Sequence, residues 1–257
     1  MKKTAVILAS SEGIGFSSAK KLMEDGHRVV LFSRSEEKLE RASKELTEAG
    51  GEVHAQVGDI GSQEDMDRLF SMVEEKWGGC DILVNNSGGP AGGGALGFED
   101  EDWMSVMTGY ALPIFRAIRR VVPYMQKQGW GRIITVASIA VKQPIDDLDL
   151  SNFLRGGLAA VHKTLARKLA KDGINVHMVL PGAILTERSR KRIQARADKN
   201  NMTFEESIKV SESRIPKGRL GHPDEVGDAV AFLASEKAEY LTAQYIQIDG
   251  GMLTGLY

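Results

Sequence analysis

The chain of 257 residues has a single cysteine, Cys80, and no excess of charge of either sign. One cysteine excludes an internal disulfide framework and a cysteine-built zinc site, and favours a reducing compartment. The 33 lysines and arginines against 35 aspartates and glutamates give a formal net charge of -2. Proteins that bind nucleic acid or an anionic membrane surface need a basic excess. We therefore expect no nucleic-acid partner.

Long apolar runs are also absent, since no stretch approaches 18 consecutive apolar residues. This excludes a transmembrane helix, so we expect no membrane partner. The apolar run after Lys2 and Lys3 resembles the start of a signal peptide, but it is short and a glycine-containing turn follows it directly. We interpret it as a first buried strand and expect a cytoplasmic protein.

Short apolar runs alternate with longer amphipathic segments along the whole chain. Seven runs are continuous and rich in valine and isoleucine, as strands buried on both faces are. They span residues 4–9, 28–33, 53–57, 81–85, 132–137, 175–180 and 244–248. This alternation predicts an α/β fold, with a parallel sheet and helices on both faces. Because no linker or repeat interrupts it, we expect one domain over residues 1–257.

A glycine-containing turn, Ala9-Ser10-Ser11-Glu12-Gly13-Ile14-Gly15, follows the first predicted strand. Glycine lets the backbone approach a pyrophosphate, and a helix N-terminus supplies N–H groups and the positive end of its dipole. Alone, the turn fits a tight strand–helix connection equally well.

Further motifs follow in a fixed order. With the first turn they are Ser10-Ser11-Glu12-Gly13-Ile14-Gly15, Gly58-Asp59-Ile60, Asp81-Ile82-Leu83-Val84-Asn85-Asn86-Ser87-Gly88, Gly131-Arg132-Ile133-Ile134-Thr135-Val136-Ala137-Ser138, Pro181-Gly182-Ala183-Ile184-Leu185-Thr186 and Asp249-Gly250-Gly251. On these motifs the chain resembles the short-chain dehydrogenase/reductase family, especially its ketoacyl-carrier-protein reductases, over nearly its whole length. The resemblance implies a single Rossmann-type doubly wound domain with a seven-stranded sheet. It also implies an oxidoreductase acting on a carbonyl/alcohol pair, such as a 3-oxoacyl thioester or a small ketone.

The resemblance further implies which residues surround the cofactor. Asp59 and Ile60 would line the adenine site, and Ile184 and Thr186 would hold the nicotinamide carboxamide. Asn86 would lie along the cofactor and also tie strand ends together. The full expected set is Ser10, Ser11, Gly13, Ile14, Gly15, Ser33, Arg34, Asp59, Ile60, Asn86, Gly88, Arg155, Pro181, Gly182, Ile184 and Thr186.

The end of the second predicted strand indicates which nicotinamide cofactor is used. Enzymes that use NAD usually place an acid at the position of Ser33. A carboxylate there would repel the 2′-phosphate of NADP, whereas Ser33 and Arg34 can bind it. We predict NADP(H); the alternative is a solvated arginine at a strand end. Glu12 argues slightly against NADP(H), because many NADP-preferring members of the family carry a basic residue in that loop.

The sequence departs from the family at the catalytic residues. Ser138 matches the family's serine, but no Tyr-x-x-x-Lys occurs anywhere in the chain. Counted from Ser138, the tyrosine and lysine positions hold Ser151 and Arg155, and the family's asparagine position holds Tyr110. A serine hydroxyl is a far poorer acid than a phenol. Loss of a positioned general acid costs about 10²–10⁴-fold in rate.

The expected roles follow from these assignments. Ser138 would polarise the substrate oxygen, and Arg155 would hold the cofactor ribose and supply positive charge. Ser151 and Arg155 are spaced i, i+4, so both should face the cofactor. The proton would come from Tyr110 or from an ordered water, although a helical tyrosine is more often a core residue. The competing hypothesis is a non-catalytic NADP(H)-binding sensor or partner subunit.

The segment 186–218 is expected to form a lid over the substrate. Its basic run, Arg188, Arg190, Lys191, Arg192 and Arg196, could attract an anionic substrate. We favour instead a solvated helix face balanced by Glu187 and Asp198.

Two further expectations concern metals and partners. Asp146, Asp147 and Asp149 lie near the predicted cleft without an accompanying histidine, so we expect no metal site. The family resemblance implies a homo-oligomer, with a tetramer favoured, built on the two long helices flanking the fifth strand. The C-terminal residues 252–257 either join that interface or fold back on their own subunit.

Overall fold

The strands of this computed structural model, which describes residues 2–256, form one parallel sheet. They are β1 (Thr4–Leu8), β2 (Arg28–Ser33), β3 (Val53–Val57), β4 (Ile82–Asn85), β5 (Gly131–Val136), β6 (Ile174–Pro181) and β7 (Tyr245–Ile248). Their spatial order is β3-β2-β1-β4-β5-β6-β7, and every pairing is parallel. The winding direction reverses between β1 and β4, which creates a crevice at their carboxyl ends.

The sequence prediction of this α/β fold is confirmed, and each predicted strand agrees with the structure to within one residue at either end. The central strands carry the strongest signal because β1, β4, β5 and β6 are buried at every position. A strand covered on both faces must be apolar throughout.

Helices cover both faces of the sheet. They are α1 (Gly13–Glu24), α2 (Glu36–Glu48), α3 (Gln63–Trp77), α4 (Asp100–Val106), α5 (Leu112–Gln128), α6 (Asp149–Leu169), α7 (Glu187–Lys199), α8 (Phe204–Glu212) and α9 (Pro223–Ala234). A π-helical turn, Met107–Ala111, joins α4 to α5. Within residues 2–256 no helix is both long enough and apolar enough to cross a bilayer.

Two buried clusters result from the alternation of side chains along each strand. Val6 and Leu8 of β1 pack into the cluster beneath α3, α5 and α6. Ala5 and Ile7 point to the opposite face and pack with α1, α2 and α9. The segment after β6 holds α7 and α8, which stand over the carboxyl ends of the strands. At the C-terminus, Met252 and Leu253 pack against the first cluster, and Tyr257 of the predicted interface segment lies outside the described residues.

Candidate functional site

A cavity of about 1070 Å³ opens at the carboxyl ends of the strands. Residues at or just beyond the ends of six strands line it: Ala9, Ser33, Gly58, Asn86, Val136 and Pro181. The π-helical turn, α6 and α7 form its remaining walls. This is the place where open parallel sheets bind ligands.

Of the residues that we expected at the cofactor and at the catalytic centre, all but Ser10 and Gly15 line this cavity. Ser10 is fully buried; its hydroxyl donates to the carbonyl of Ile7 at 2.8 Å and accepts from the amide of Phe32 at 3.0 Å. Its side chain therefore ties β1 to β2 instead of facing a ligand.

Gly15 lies behind the cavity wall, where α1 crosses β1. A Cβ atom on it would stand 2.4 Å from the carbonyl oxygen of Ala9 and 2.7 Å from Nδ2 of Asn86. Only glycine lets the helix start this close to the strand, so this residue acts on the cavity through packing.

The turn before α1 keeps the required shape although alanine replaces the family's first glycine. Ala9 adopts φ 49°, in the left-handed region that favours glycine. The side-chain amide of Asn86 donates to the Ala9 carbonyl at 2.9 Å, which holds the turn against the end of β4. This contact is the structural half of the dual role expected for Asn86.

At the end of β2 the cavity is polar and not acidic. The hydroxyls of Ser11 and Ser33 lie 2.9 Å apart. The exposed Arg34 guanidinium stands 3.8 Å from the Asp59 carboxylate. Glu12, which argued against NADP(H), is paired with Lys38 at 2.7 Å. Lys38 therefore places next to this loop a positive charge that the loop's own residues lack. The sequence analysis did not identify Lys38.

Ser138 and Arg155 lie at the base of the cavity. The Ser138 hydroxyl accepts a hydrogen bond from the amide of Ala140 at 3.2 Å, which leaves its own proton available. Ser151 and Arg155 stand one turn apart on α6 and are both buried, as their spacing predicted.

The Arg155 guanidinium donates to one hydrogen-bond acceptor among the described residues. Its Nη1 donates to the carbonyl of Val136 at 3.3 Å, and its Nε has no partner among the described residues. Burial lowers the pKa of Arg155 to about 10; Arg188 acts in the same direction and Tyr110 opposes it. Arg155 is thus a cation at the base of the cleft whose hydrogen-bonding capacity is only partly used.

Tyr110 belongs to the π-helical turn, a kind of irregularity that often marks functional sites. Its hydroxyl donates to the carbonyl of Gly89, in the loop after β4, at 3.1 Å. Nη2 of Arg188 donates to the same oxygen at 2.9 Å. Tyr110 thus lines the cavity with its hydroxyl already bonded, and its ring packs against the first buried cluster.

The basic run on α7 is exposed at Arg188, Arg190, Lys191 and Arg192 and partly buried at Arg196, and it also borders the cavity. Three of its residues, spaced i, i+4, i+8, line the cavity: Arg188, Arg192 and Arg196. Of the two expected partners, Glu187 lies 3.9 Å from Lys191 of the run, whereas Asp198 accepts from Gln194. The run is therefore largely solvated, as expected, and the buried face of α7 carries Ile193 and Ala197.

The acidic loop before α6 has structural contacts. Asp149 accepts hydrogen bonds from the amide of Ala95 at 2.8 Å and from the side chain of Asn152 at 3.3 Å. Among residues 2–256, no three histidine, cysteine, aspartate or glutamate side chains are grouped to hold a metal ion.

Sequence comparison places the chain among known reductases. A family model described as "Enoyl-(Acyl carrier protein) reductase" matches residues 8–253. "Dehydrogenase/reductase SDR family member 4" of Oryctolagus cuniculus is 34% identical over 97% of this chain and 93% of its own length. The "3-oxoacyl-[acyl-carrier-protein] reductase FabG" of Staphylococcus epidermidis is 31% identical over 98% of this chain and 99% of its own.

Solved structures agree with the fold. L-sorbose reductase from Gluconobacter frateurii, complexed with NADPH and L-sorbose, superimposes with a TM-score of 0.95 at 32% identity, over 99% and 98% of the two chains. The NADPH-bound short-chain oxidoreductase from Pseudomonas aeruginosa PAO1, described as containing an atypical catalytic center, gives 0.90 at 26% identity, over 98% and 97%.

Proposed function

Because this chain belongs to the short-chain dehydrogenase/reductase family, we propose that it transfers a hydride between NADP(H) and a carbonyl/alcohol pair. One observation carries the proposal: a single cavity joins the turn before α1 to Ser138 and Arg155. The NADPH bound in the reductases from G. frateurii and P. aeruginosa supports this cofactor. The competing role of non-catalytic sensor or partner subunit rests on the altered tyrosine and lysine positions alone.

The residues present fit a dinucleotide phosphate. The first turn of α1 opens onto the cavity at Gly13, where no side chain obstructs the amides. Ser33 and Arg34 would hold the 2′-phosphate, with no unpaired carboxylate beside them. Asn86 and Gly88, together with Ile184 and Thr186, would line the nicotinamide half.

When bound, NADP(H) supplies the hydride chemistry, and the chain supplies orientation and charge. Ser138 donates a hydrogen bond to the substrate oxygen and so polarises the carbonyl, while it keeps its own proton. Arg155 binds the cofactor ribose through its unused N–H groups and stabilises negative charge at the base of the cleft. We assign the proton to the Tyr110 phenol, with an ordered water in the open cavity as the alternative.

The proposal extends to the state of the protein. It would act as one NADP(H)-binding domain over residues 1–257, with segment 186–218 as the lid, and it would form a homo-oligomer in the cytoplasm. The buried Cys80, the only cysteine of the chain, supports the reducing compartment. Exposed apolar residues on α6 support the oligomer, with Phe153 52% exposed and Val161 39%.

The test begins with a titration of the purified protein with NADPH and with NADH, in which the fluorescence of the nicotinamide reports binding. NADPH oxidation is then measured with a panel of ketones and aldehydes. We expect tighter binding of NADPH, and turnover with particular carbonyl compounds that Ser138→Ala abolishes. Ser43→Ala, on α2 and away from the cavity, is the matched control and should be unaffected. Cofactor binding without turnover of any carbonyl compound would favour the sensor instead.

A further inference from the structure

Three guanidinium groups face the substrate side of the cavity from one helix. Arg188, Arg192 and Arg196 lie on successive turns of α7 and all line the cleft. Like charges at i, i+4 destabilise an isolated helix. Arg188 and Arg192 are exposed and Arg196 is partly buried, so the three charges stand in an open cleft where an anion would offset their repulsion.

The carboxylates that line the cavity do not provide this compensation. They are Glu12, Asp59 and Glu187. Glu12 is paired with Lys38, Asp59 stands beside Arg34, and Glu187 lies 3.9 Å from Lys191. Within residues 2–256, no carboxylate forms an ion pair with any of the three arginines.

The three arginines differ in how they are held. Arg188 donates to the carbonyl of Gly89, and Arg196 donates to Ser207 and to Ser211 at 2.8 Å. Arg192 lies between them with no hydrogen-bond or ion-pair partner in the described part of the chain. Burial, together with the charges of Arg188 and Arg196, lowers its pKa. The outer two are anchored to the walls, and the middle one is the charge available to a ligand.

The phosphates of the proposed cofactor have positions of their own, at the N-terminus of α1 and beside Ser33 and Arg34. We infer that the substrate carries an oxyanionic group, a carboxylate or a phosphate, which Arg192 binds between Arg188 and Arg196. This inference rests on the proposed function and names its substrate class: anionic ketones, aldehydes or alcohols. A guanidinium fork matches either oxyanion.

The experiment measures binding apart from catalysis. Benzoate, phenyl phosphate and the neutral benzamide are titrated calorimetrically into the protein at low ionic strength, with saturating NADPH. Benzoate or phenyl phosphate should bind and benzamide should not, and the stronger of the two identifies the anion. Arg192→Gln should weaken the binding roughly tenfold to a hundredfold, the range of a charge-assisted hydrogen bond. Arg190→Gln, on the same helix but outside the cavity, should leave it unchanged.

A kinetic arm uses 4-carboxybenzaldehyde and its methyl ester. Arg192→Gln should raise KM for the acid and leave KM for the ester unchanged. The inference is overturned if neither anion binds, if benzamide binds as well as benzoate, or if both arginine variants behave alike. It is also overturned if the anions bind only without NADPH, because the stripe would then belong to the cofactor site. Failure of NADPH itself to bind overturns the proposed function, whatever the anions do.

Discussion

Tyr110 and Arg188 donate hydrogen bonds to one shared acceptor, the carbonyl oxygen of Gly89, at 3.1 and 2.9 Å. The phenol comes from the π-helical turn, the guanidinium from the first turn of α7, and the acceptor from the loop after β4. The π-helical turn, α7 and the loop after β4 therefore meet at one backbone atom. The phenol must leave this carbonyl to protonate a substrate, while Arg188 can keep the loop in place.

Substitution of Tyr110 by phenylalanine tests the assignment of the proton donor. We expect kcat to fall by about 10²–10⁴-fold, the contribution of a positioned general acid, with the Kd for NADPH unchanged. Steady-state kinetics on a substrate found in the carbonyl screen provides the measurement. Tyr240→Phe is the control, since Tyr240 is fully exposed. An unchanged kcat in Tyr110→Phe would transfer the role to water.

Ser33 is the position that we expect to set the choice between NADPH and NADH. Ser33→Asp should weaken NADPH roughly tenfold to a hundredfold, because a carboxylate repels the 2′-phosphate and replaces a hydroxyl that can bond it. The same variant should strengthen NADH, because the carboxylate can accept from the ribose hydroxyls.

The control for this change is Ser33→Ala, which removes the hydroxyl without adding charge. It should weaken NADPH less than Ser33→Asp does and should not improve NADH. Fluorescence titration of the unaltered protein and both variants with both nucleotides measures the six affinities. If the aspartate and alanine variants had the same ratio of affinities, the charge at this position would have no part in selectivity.

The fold could be predicted from the sequence because burial on both faces of the sheet requires a continuous apolar run at each central strand. The cofactor side of the cavity was readable for a related reason, since its residues follow directly on strand ends. The direction of an individual side chain in a turn was not readable. Ser10 and Ser11 are neighbours of the same type, yet the first is buried against β2 and the second lines the cavity.

Contacts between segments that are far apart in the sequence could not be predicted either. From the sequence, Glu12 is expected to be an unfavourable charge beside a phosphate, because its partner, Lys38, lies 26 residues away along the chain. The arginines of α7 show helical spacing in the sequence. The buried face of α7 carries Ile193 and Ala197, and that three of its arginines also border the cavity depends on where the helix lies, which no local pattern encodes.

Phe153 tests the proposed oligomer. It is half exposed on α6, edge-on to Trp103 at a centroid distance of 5.4 Å. Gly156 and Gly157 follow it, and a Cβ atom on either would meet no atom within 4 Å. An exposed aromatic ring beside such open positions suits close approach of a second helix.

Light scattering after gel filtration should therefore show the unaltered protein as a dimer or tetramer and Phe153→Asp as a smaller species. A charge buried in an interface without a partner is strongly unfavourable. Leu96→Asp is the control, because this exposed leucine lies in the turn before α4 and is not part of α6. A monomeric unaltered protein, or an unchanged mass for Phe153→Asp, would contradict the prediction.

His177 on β6 makes folding stability depend on pH. It is fully buried, and neither ring nitrogen has a partner among the described residues. Burial, and to a lesser degree Arg132, lowers its pKa from 6.5 to about 4. Between these two values the unfolded chain binds a proton that the folded chain does not. Stability is therefore fully present above pH 6.5 and falls as the pH drops toward 4.

His177→Leu should remove this contribution, on the order of 3 kcal/mol at pH 4, since one pKa unit corresponds to about 1.4 kcal/mol. Urea unfolding of both proteins at intervals between pH 4 and 7.5 gives the free energy of unfolding at each pH. Carboxylates and the other buried histidines titrate in both proteins, so the difference between the two curves isolates His177. The free energies of unfolding of the two proteins should converge or cross as the pH rises to 6.5. Below pH 6.5 they should separate, and the leucine variant should be the more stable protein in acid. Parallel curves would mean that His177 keeps an ordinary pKa in the folded protein.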